Sequence, residues 1–264
     1  MSTNYEKLPL FLVLDVSASM GEEGRFEAAF KFIPDLLTAF EDAATVADKV
    51  KVSVITFGED AKVVFPLNDS DELRKWEKKK VDDPIEPVDS YTRYSTAFKM
   101  LKEEIVSAVA QIRGDQPDGK TYKCYRPAVF FITDGNPYND SLADIDKYFN
   151  ELTDDNFAYR PLMVCVGVGE ATEEVLKKYA AGKYAKGGRI PDNYVKGNPD
   201  LVLVQRDGTT SSSHLNRIVA KLVQSVVDGL KDNVAVNEEE GNSSVKDFVI
   251  DLDNDDDSLI DDEV

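Results

Sequence analysis

At 264 residues and 42% hydrophobic content, the chain is long enough for one large domain with a sizeable core, or one domain and a tail. A net charge of −19 excludes sequence-independent nucleic-acid binding, which needs a cationic surface. The charge is uneven: residues 231–264 hold 13 of the 50 acids and two of the 31 bases.

The opening residues lack a basic region ahead of their short apolar run, and no run of about 20 apolar residues occurs. This predicts neither a signal peptide nor a membrane span. The two cysteines, Cys124 and Cys165, make no disulfide framework in a chain of this length and read as free thiols. The expected location is cytoplasmic.

Residues 1–7 read as a short polar leader. The run 8–14 is apolar, flanked by charge and rich in strand formers, which predicts a buried central strand. It opens into Asp15, Ser17, Ala18, Ser19, Met20 and Gly21, a carboxylate and two hydroxyls at i, i+2 and i+4 ahead of a helix. Ligands of open α/β sheets bind at that end of the strands. Hydroxyl and carboxylate oxygens suit Mg²⁺, Mn²⁺ or Ca²⁺ better than soft metals. Taken alone, the pattern is weak and reads first as a helix N-cap.

Apolar residues at Phe26, Ala29, Phe30, Ile33, Leu36, Leu37 and Phe40 repeat with a helical period over 25–40, which Pro34 kinks or restarts. A strand at 50–57 turns at 58–60 into a partner at 61–65, an antiparallel edge strand. A short polar helix at 71–80 has Trp76 as its anchor, and a Pro-containing loop at 82–90 leads to Tyr91, Thr92, Arg93 and Tyr94. The helix 95–112 follows, then a loop over 113–127. The apolar strand 128–133 ends at Asp134 and Gly135, a second carboxylate at a strand's carboxyl end.

Beyond it the pattern predicts a helix at 141–152, a strand at 158–168 and a helix at 173–180. A long loop at 182–200, a strand at 201–205 and a helix at 214–230 complete the domain. The single histidine, His214, sits at a Ser-rich helix start, with no companion for triad or zinc chemistry. Gly167 and Gly169 lack the third glycine of a dinucleotide fingerprint.

Alternating strands and helices with fully apolar strands predict an α/β fold: a doubly wound, mostly parallel sheet with one antiparallel edge strand, spanning 1–230. Residues 231–264 are expected to form a disordered acidic tail. Its apolar clusters around Phe248 and Leu259 leave three roles open: solubility, ordering on a basic partner, or an intramolecular ligand for the site.

The D-x-S-x-S of Asp15, Ser17 and Ser19, Thr92 before a helix, and the strand–T-D-G ending at Asp134 together resemble the von Willebrand factor A (VWA) domain. In that family these five positions form the metal-ion-dependent adhesion site, or MIDAS. The resemblance implies a Mg²⁺, Mn²⁺ or Ca²⁺ ion held directly by Ser17 and Ser19. Thr92 would act directly or through water, and Asp15 and Asp134 mostly through waters. An open position would accept a carboxylate from a partner protein.

The order of elements and the openings at 8–15 and 52–57 look most like intracellular tellurium-resistance proteins of the TerY type. That likeness implies a stress, metal-resistance or defence system, with a protein kinase and a metal-dependent serine/threonine phosphatase as partners. Many relatives carry glycine before the threonine and a small residue after it, where this chain has Tyr91 and Arg93. Arg93 reads either as a partner for an incoming acid or as solvent-facing. Tyr91 and Tyr94 read as narrowing the approach to the ion.

Arg113, Gly114 and Asp115 spell a tripeptide that some extracellular VWA domains bind, taken here as coincidence. The expected function is a non-enzymatic, cation-dependent interaction module. A metal-dependent hydrolase and a VWA subunit of an AAA+ chelatase or remodelling machine are the alternatives.

Overall fold

The computed structural model describes residues 4–22, 24–42, 47–80, 84–182, 194–204 and 245–246. The first strand, β1 (Asn4–Asp15), is followed by two short helices, α1 (Arg25–Phe30) and α2 (Phe32–Asp42). The hairpin β2 (Val50–Phe57) and β3 (Ala61–Asn68) comes next, then α3 (Ser70–Lys79) and the long α4 (Tyr94–Gly114). Strands β4 (Thr121–Tyr125) and β5 (Ala128–Thr133) precede α5 (Leu142–Leu152) and β6 (Leu162–Gly167). A single turn, α6 (Glu173–Leu176), leads to the short strands β7 (Ala181–Gly182), β8 (Val195–Lys196) and β9 (Val202–Val204).

Strand β1 is central because both of its edges and both of its faces are covered. It pairs in parallel with β2, from Leu8↔Val50 to Asp15↔Phe57, and with β5, from Leu10↔Ala128 to Leu14↔Ile132. Outside β5 lie β6 and then β9, both parallel; β3 closes the far edge of β2 antiparallel. The main sheet therefore runs β3-β2-β1-β5-β6-β9. Pro66 occupies an exposed position of β3, tolerable on an edge strand whose amides are not all needed by a neighbour.

The alternation along β5 assigns the two helical layers. Phe130 stacks toward Phe32 of α2 on one face, at 5.0 Å between ring centroids. Phe131 meets Phe98 of α4 on the other, at 5.4 Å. Successive strand side chains point to opposite faces, so two adjacent phenylalanines seed both layers of the core.

Several expectations are corrected in detail. The helix expected at 25–40 is two helices that part at Lys31, three residues before Pro34. Pro34 has no N–H for the Phe30 carbonyl, so the second helix starts where the proline falls in its first turn. From Asn4 onward the polar leader is the start of β1, and the loop at 113–127 contains β4, with Asn4–Lys7 pairing in parallel with Thr121–Cys124. Strand β6 begins after Pro161, whose missing donor keeps it out of the ladder. Within the loop expected at 182–200, Ala181 and Gly182 pair antiparallel with Lys196 and Val195.

The helix expected at 214–230 and most of the acidic tail lie outside the described residues. Within the tail, Val245–Lys246 (β10) lies parallel to Cys124–Tyr125, at the end of the sheet opposite Asp15. Asp115 is at that end too, 3.6 Å from the Lys51 ammonium. Both cysteines are buried free thiols. Among the described residues no helix is long and apolar enough to cross a membrane.

Candidate metal centre

Strand β1 delivers Asp15 fully buried at its carboxyl end, and the chain leaves the sheet through a 3-10 turn at Ala18–Gly21. The Asp15 carboxylate folds this loop back: its Oδ1 accepts from the Ser17 amide at 2.8 Å. Its Oδ2 accepts from the Thr133 hydroxyl at 2.6 Å, tying β1 to the end of β5. Burial pushes the Asp15 carboxyl up to about 6, against the opposing pull of hydrogen bonds from Ser17 and Thr133.

From there a line of oxygens crosses the cleft. Ser17 Oγ lies 3.3 Å from Ser19 Oγ, and Ser19 Oγ donates to Asp134 Oδ1 at 3.0 Å. The other Asp134 oxygen, Oδ2, accepts from Arg25 Nη1 at 3.0 Å. Asp134 and Ser17 are buried, Ser19 is half-buried, and Thr92 is buried on the facing loop. Ser19, Thr92 and Asp134 line one open cleft of about 650 Å³, with Asp15 and Ser17 at its root.

The three loops are stitched by backbone hydrogen bonds rather than by packing alone. Val16 N donates to Phe57 O at 2.8 Å, and Val88 N donates to Val16 O at 2.8 Å. Thr92 and Tyr138 exchange amide and carbonyl bonds at 3.3 and 2.9 Å, an isolated antiparallel bridge between the threonine loop and the loop after Asp134. These bonds hold the donor-bearing loops in register with one another.

A hard cation fits this set. Among the described residues no group of three or more His, Cys, Asp or Glu side chains converges; two carboxylates and hydroxyls converge instead. The neighbouring donor separations of 3.3 and 3.0 Å match the edge of an octahedron, about 3.0 Å for oxygens about 2.1 Å from an ion. The donor set carries two formal negative charges, those of Asp15 and Asp134.

The flanking residues divide. Tyr91 is exposed beside the cleft, its ring 5.9 Å from that of Tyr138, which is 68% exposed. Arg93 is turned back onto the protein: it reaches Glu59 at 3.3 Å, donates to the Asn139 carbonyl at 3.2 Å and lies over Tyr91. Tyr94 does not narrow the approach. It is fully buried, surrounded by Phe57, Phe98, Phe131 and Tyr179, with its hydroxyl donating to the Gly135 carbonyl at 2.6 Å. As the first residue of α4, it faces the core under the site.

Sequence reasoning missed Arg25, Thr133 and Tyr138. A signal existed for Arg25: a cation in the first turn of a helix opposes the helix dipole, so something else must hold it there. Thr133 reads as a strand terminus, and Tyr138 as an ordinary turn residue; only the loop-to-loop bridge brings it to the cleft.

The family model for the von Willebrand factor type A domain matches residues 10–192. No curated protein matches the chain in sequence. Among solved structures, proximal thread matrix protein 1 from the mussel byssus aligns with 16% identity and a TM-score of 0.56, over 93% of this chain and 64% of that one. A further structure of that protein, described as having a zinc-occupied MIDAS motif, aligns at 16% identity and a TM-score of 0.53. A von Willebrand factor type A protein from Catenulispora acidiphila aligns at 15% identity and a TM-score of 0.56, over 82% of this chain and 42% of that one. The chain thus spans less than two thirds of the length of these structures.

Proposed function

The chain belongs to the von Willebrand factor type A domain family, and on that footing we propose that it is a divalent-cation-dependent protein-interaction module. Ser17, Ser19 and Thr92 would hold the cation with Asp15 and Asp134, and Mg²⁺ is the first choice, with Mn²⁺ and Ca²⁺ behind it. The bound ion supplies an open electrophilic position, and the group suited to it is a carboxylate of a partner protein.

The observation that carries this reading is the hydrogen-bonded line Asp15–Ser17–Ser19–Asp134 at the root of an open cleft. Both carboxylates have each oxygen engaged, Asp15 by Ser17 and Thr133, Asp134 by Ser19 and Arg25. Exposed Tyr91 and Tyr138 at the rim supply the amphipathic contact area that protein partners use.

The proposal extends to a cytoplasmic scaffold or sensor in a stress or metal-resistance system of the TerY type, with a kinase and a metal-dependent phosphatase as partners. The likeness of residues 8–15 and 52–57 supports that finer reading. Calorimetry with Mg²⁺ and Mn²⁺ on the wild type and on Ser17→Ala/Ser19→Ala tests the centre, and a pull-down with and without EDTA tests its use. The expected result is metal binding lost in the variant and partner capture lost in EDTA. Metal binding with EDTA-insensitive capture would overturn the adhesive role.

A further inference from the structure

Arg25 is the one group in the metal centre that the donor pattern leaves unexplained. Its side chain is 8% exposed, in the first turn of α1, directly after Gly24 in a left-handed conformation. Its Nη1 donates to Asp134 Oδ2 at 3.0 Å, while Ser19 holds the other oxygen of the same carboxylate. The backbone is shaped to keep it there. A Cβ on Gly169, itself at φ +58°, would come within 2.6 Å of Arg25 Nε, so only a bare glycine lets the guanidinium lie in this slot.

The electrostatic consequence follows from counting buried charges. Asp15 and Asp134 contribute two negative charges, enough to neutralise a dication completely. Arg25 cancels one of them. Its further acidic neighbours, Glu22 at 3.6 Å and Glu170 at 3.9 Å, are 68% and 85% exposed and are screened by water. At the rim, Glu59 is answered by Arg93.

We propose that Arg25 sets the charge of the centre, holding the metal-loaded site at a net positive charge so that it favours an anionic partner group, at a cost in affinity for the ion itself. The inference rests on the cation-dependent reading of the site. Without Arg25, a dication would be matched by its own two carboxylates and would offer an incoming carboxylate little attraction. With Arg25, one positive charge is left over, and an incoming carboxylate neutralises it. Arg25 is a positioning residue in this account: it acts on the ion and its ligand through Asp134 and through its charge.

Two substitutions test the role of the charge. Arg25→Gln removes the charge and leaves a neutral amide in the slot; Arg25→Lys keeps the charge. With Mn²⁺ alone as titrant, Arg25→Gln is expected to bind the ion about tenfold more tightly than the wild type, and Arg25→Lys within about threefold. In the same samples, acetate should displace water from bound Mn²⁺ in the wild type, read as a fall in proton relaxivity, and have little effect in Arg25→Gln.

Weaker or unchanged Mn²⁺ binding by a folded Arg25→Gln overturns the inference and leaves the metal centre standing. No Mn²⁺ binding by the wild type removes both. Where Arg25→Gln does not fold, the unaltered chain decides: no acetate effect on wild-type relaxivity overturns the inference.

Discussion

Replacing Asp15 by asparagine should stabilise the metal-free protein while destroying the site. The Asp15 carboxyl is fully buried, and burial lifts it from the usual 3.8 to about 6, so ionising it at neutral pH costs about 3 kcal/mol. An asparagine carries no charge and has nearly the same shape. Its Oδ1 still accepts from the Ser17 amide at 2.8 Å, and its amide donates to Thr133 Oγ1 once that hydroxyl turns. We expect a gain of about 2 kcal/mol at pH 7 in EDTA, less than the full cost because an amide accepts on one side only.

The sign is set by proton linkage. The folded chain holds the Asp15 proton more tightly than the unfolded chain, so wild-type stability falls as pH rises from near 4 through about 6. The advantage of Asp15→Asn should therefore be near zero at pH 4, open between pH 4 and 6, and level off above. Urea denaturation of both proteins in EDTA across that range measures it.

Excess Mg²⁺ should close the gap in the wild type alone, since binding at about 100 times Kd contributes about 2.7 kcal/mol. An Asp15→Asn protein no more stable than wild type at pH 7 in EDTA, or a gap indifferent to pH, refutes the reasoning. The exchange is one of stability for function, of the kind expected where a charge is buried for a ligand.

Tyr94→Phe removes the hydroxyl that donates to the Gly135 carbonyl at 2.6 Å and should cost about 1 kcal/mol in denaturation. With the loop after Asp134 loosened, calorimetry should show metal affinity a few-fold weaker; unchanged stability would show that this bond does not brace the site. Tyr138→Ala removes a ring that is 68% exposed and should weaken partner capture about tenfold with metal affinity intact. Loss of metal binding in that variant would show instead that the Thr92–Tyr138 bridge depends on the side chain.

Much of the candidate site was legible because its side chains lie in short local patterns. Asp15, Ser17 and Ser19 follow one strand, Asp134 follows another, and both strands are continuous apolar runs of the kind buried in a parallel sheet. Parallel strands point the same way, so their carboxyl ends must gather, and the two carboxylates with them. The antiparallel β3 was readable from the tight turn at Gly58, Glu59 and Asp60. Strand β4 and the start of β1 were not: Asn4–Lys7 and Thr121–Cys124 are polar and charged, and only their mutual pairing makes them strands.

The residues that tune the site were set by tertiary structure. Tyr94 stands two positions after Thr92, yet the α4 axis turns it inward to the phenylalanine cluster, while Tyr91 stays outside. Tyr138 reaches the cleft through an amide bridge between loops 46 residues apart in sequence numbering, which no local pattern encodes. Arg25 meets Asp134 across 109 positions, in a slot that exists because Gly169 from a third loop has no side chain. Periodicity and spacing determine which oxygens converge, because those follow from strand direction; the charge around them depends on side chains from distant loops, and only the packed fold brings these together.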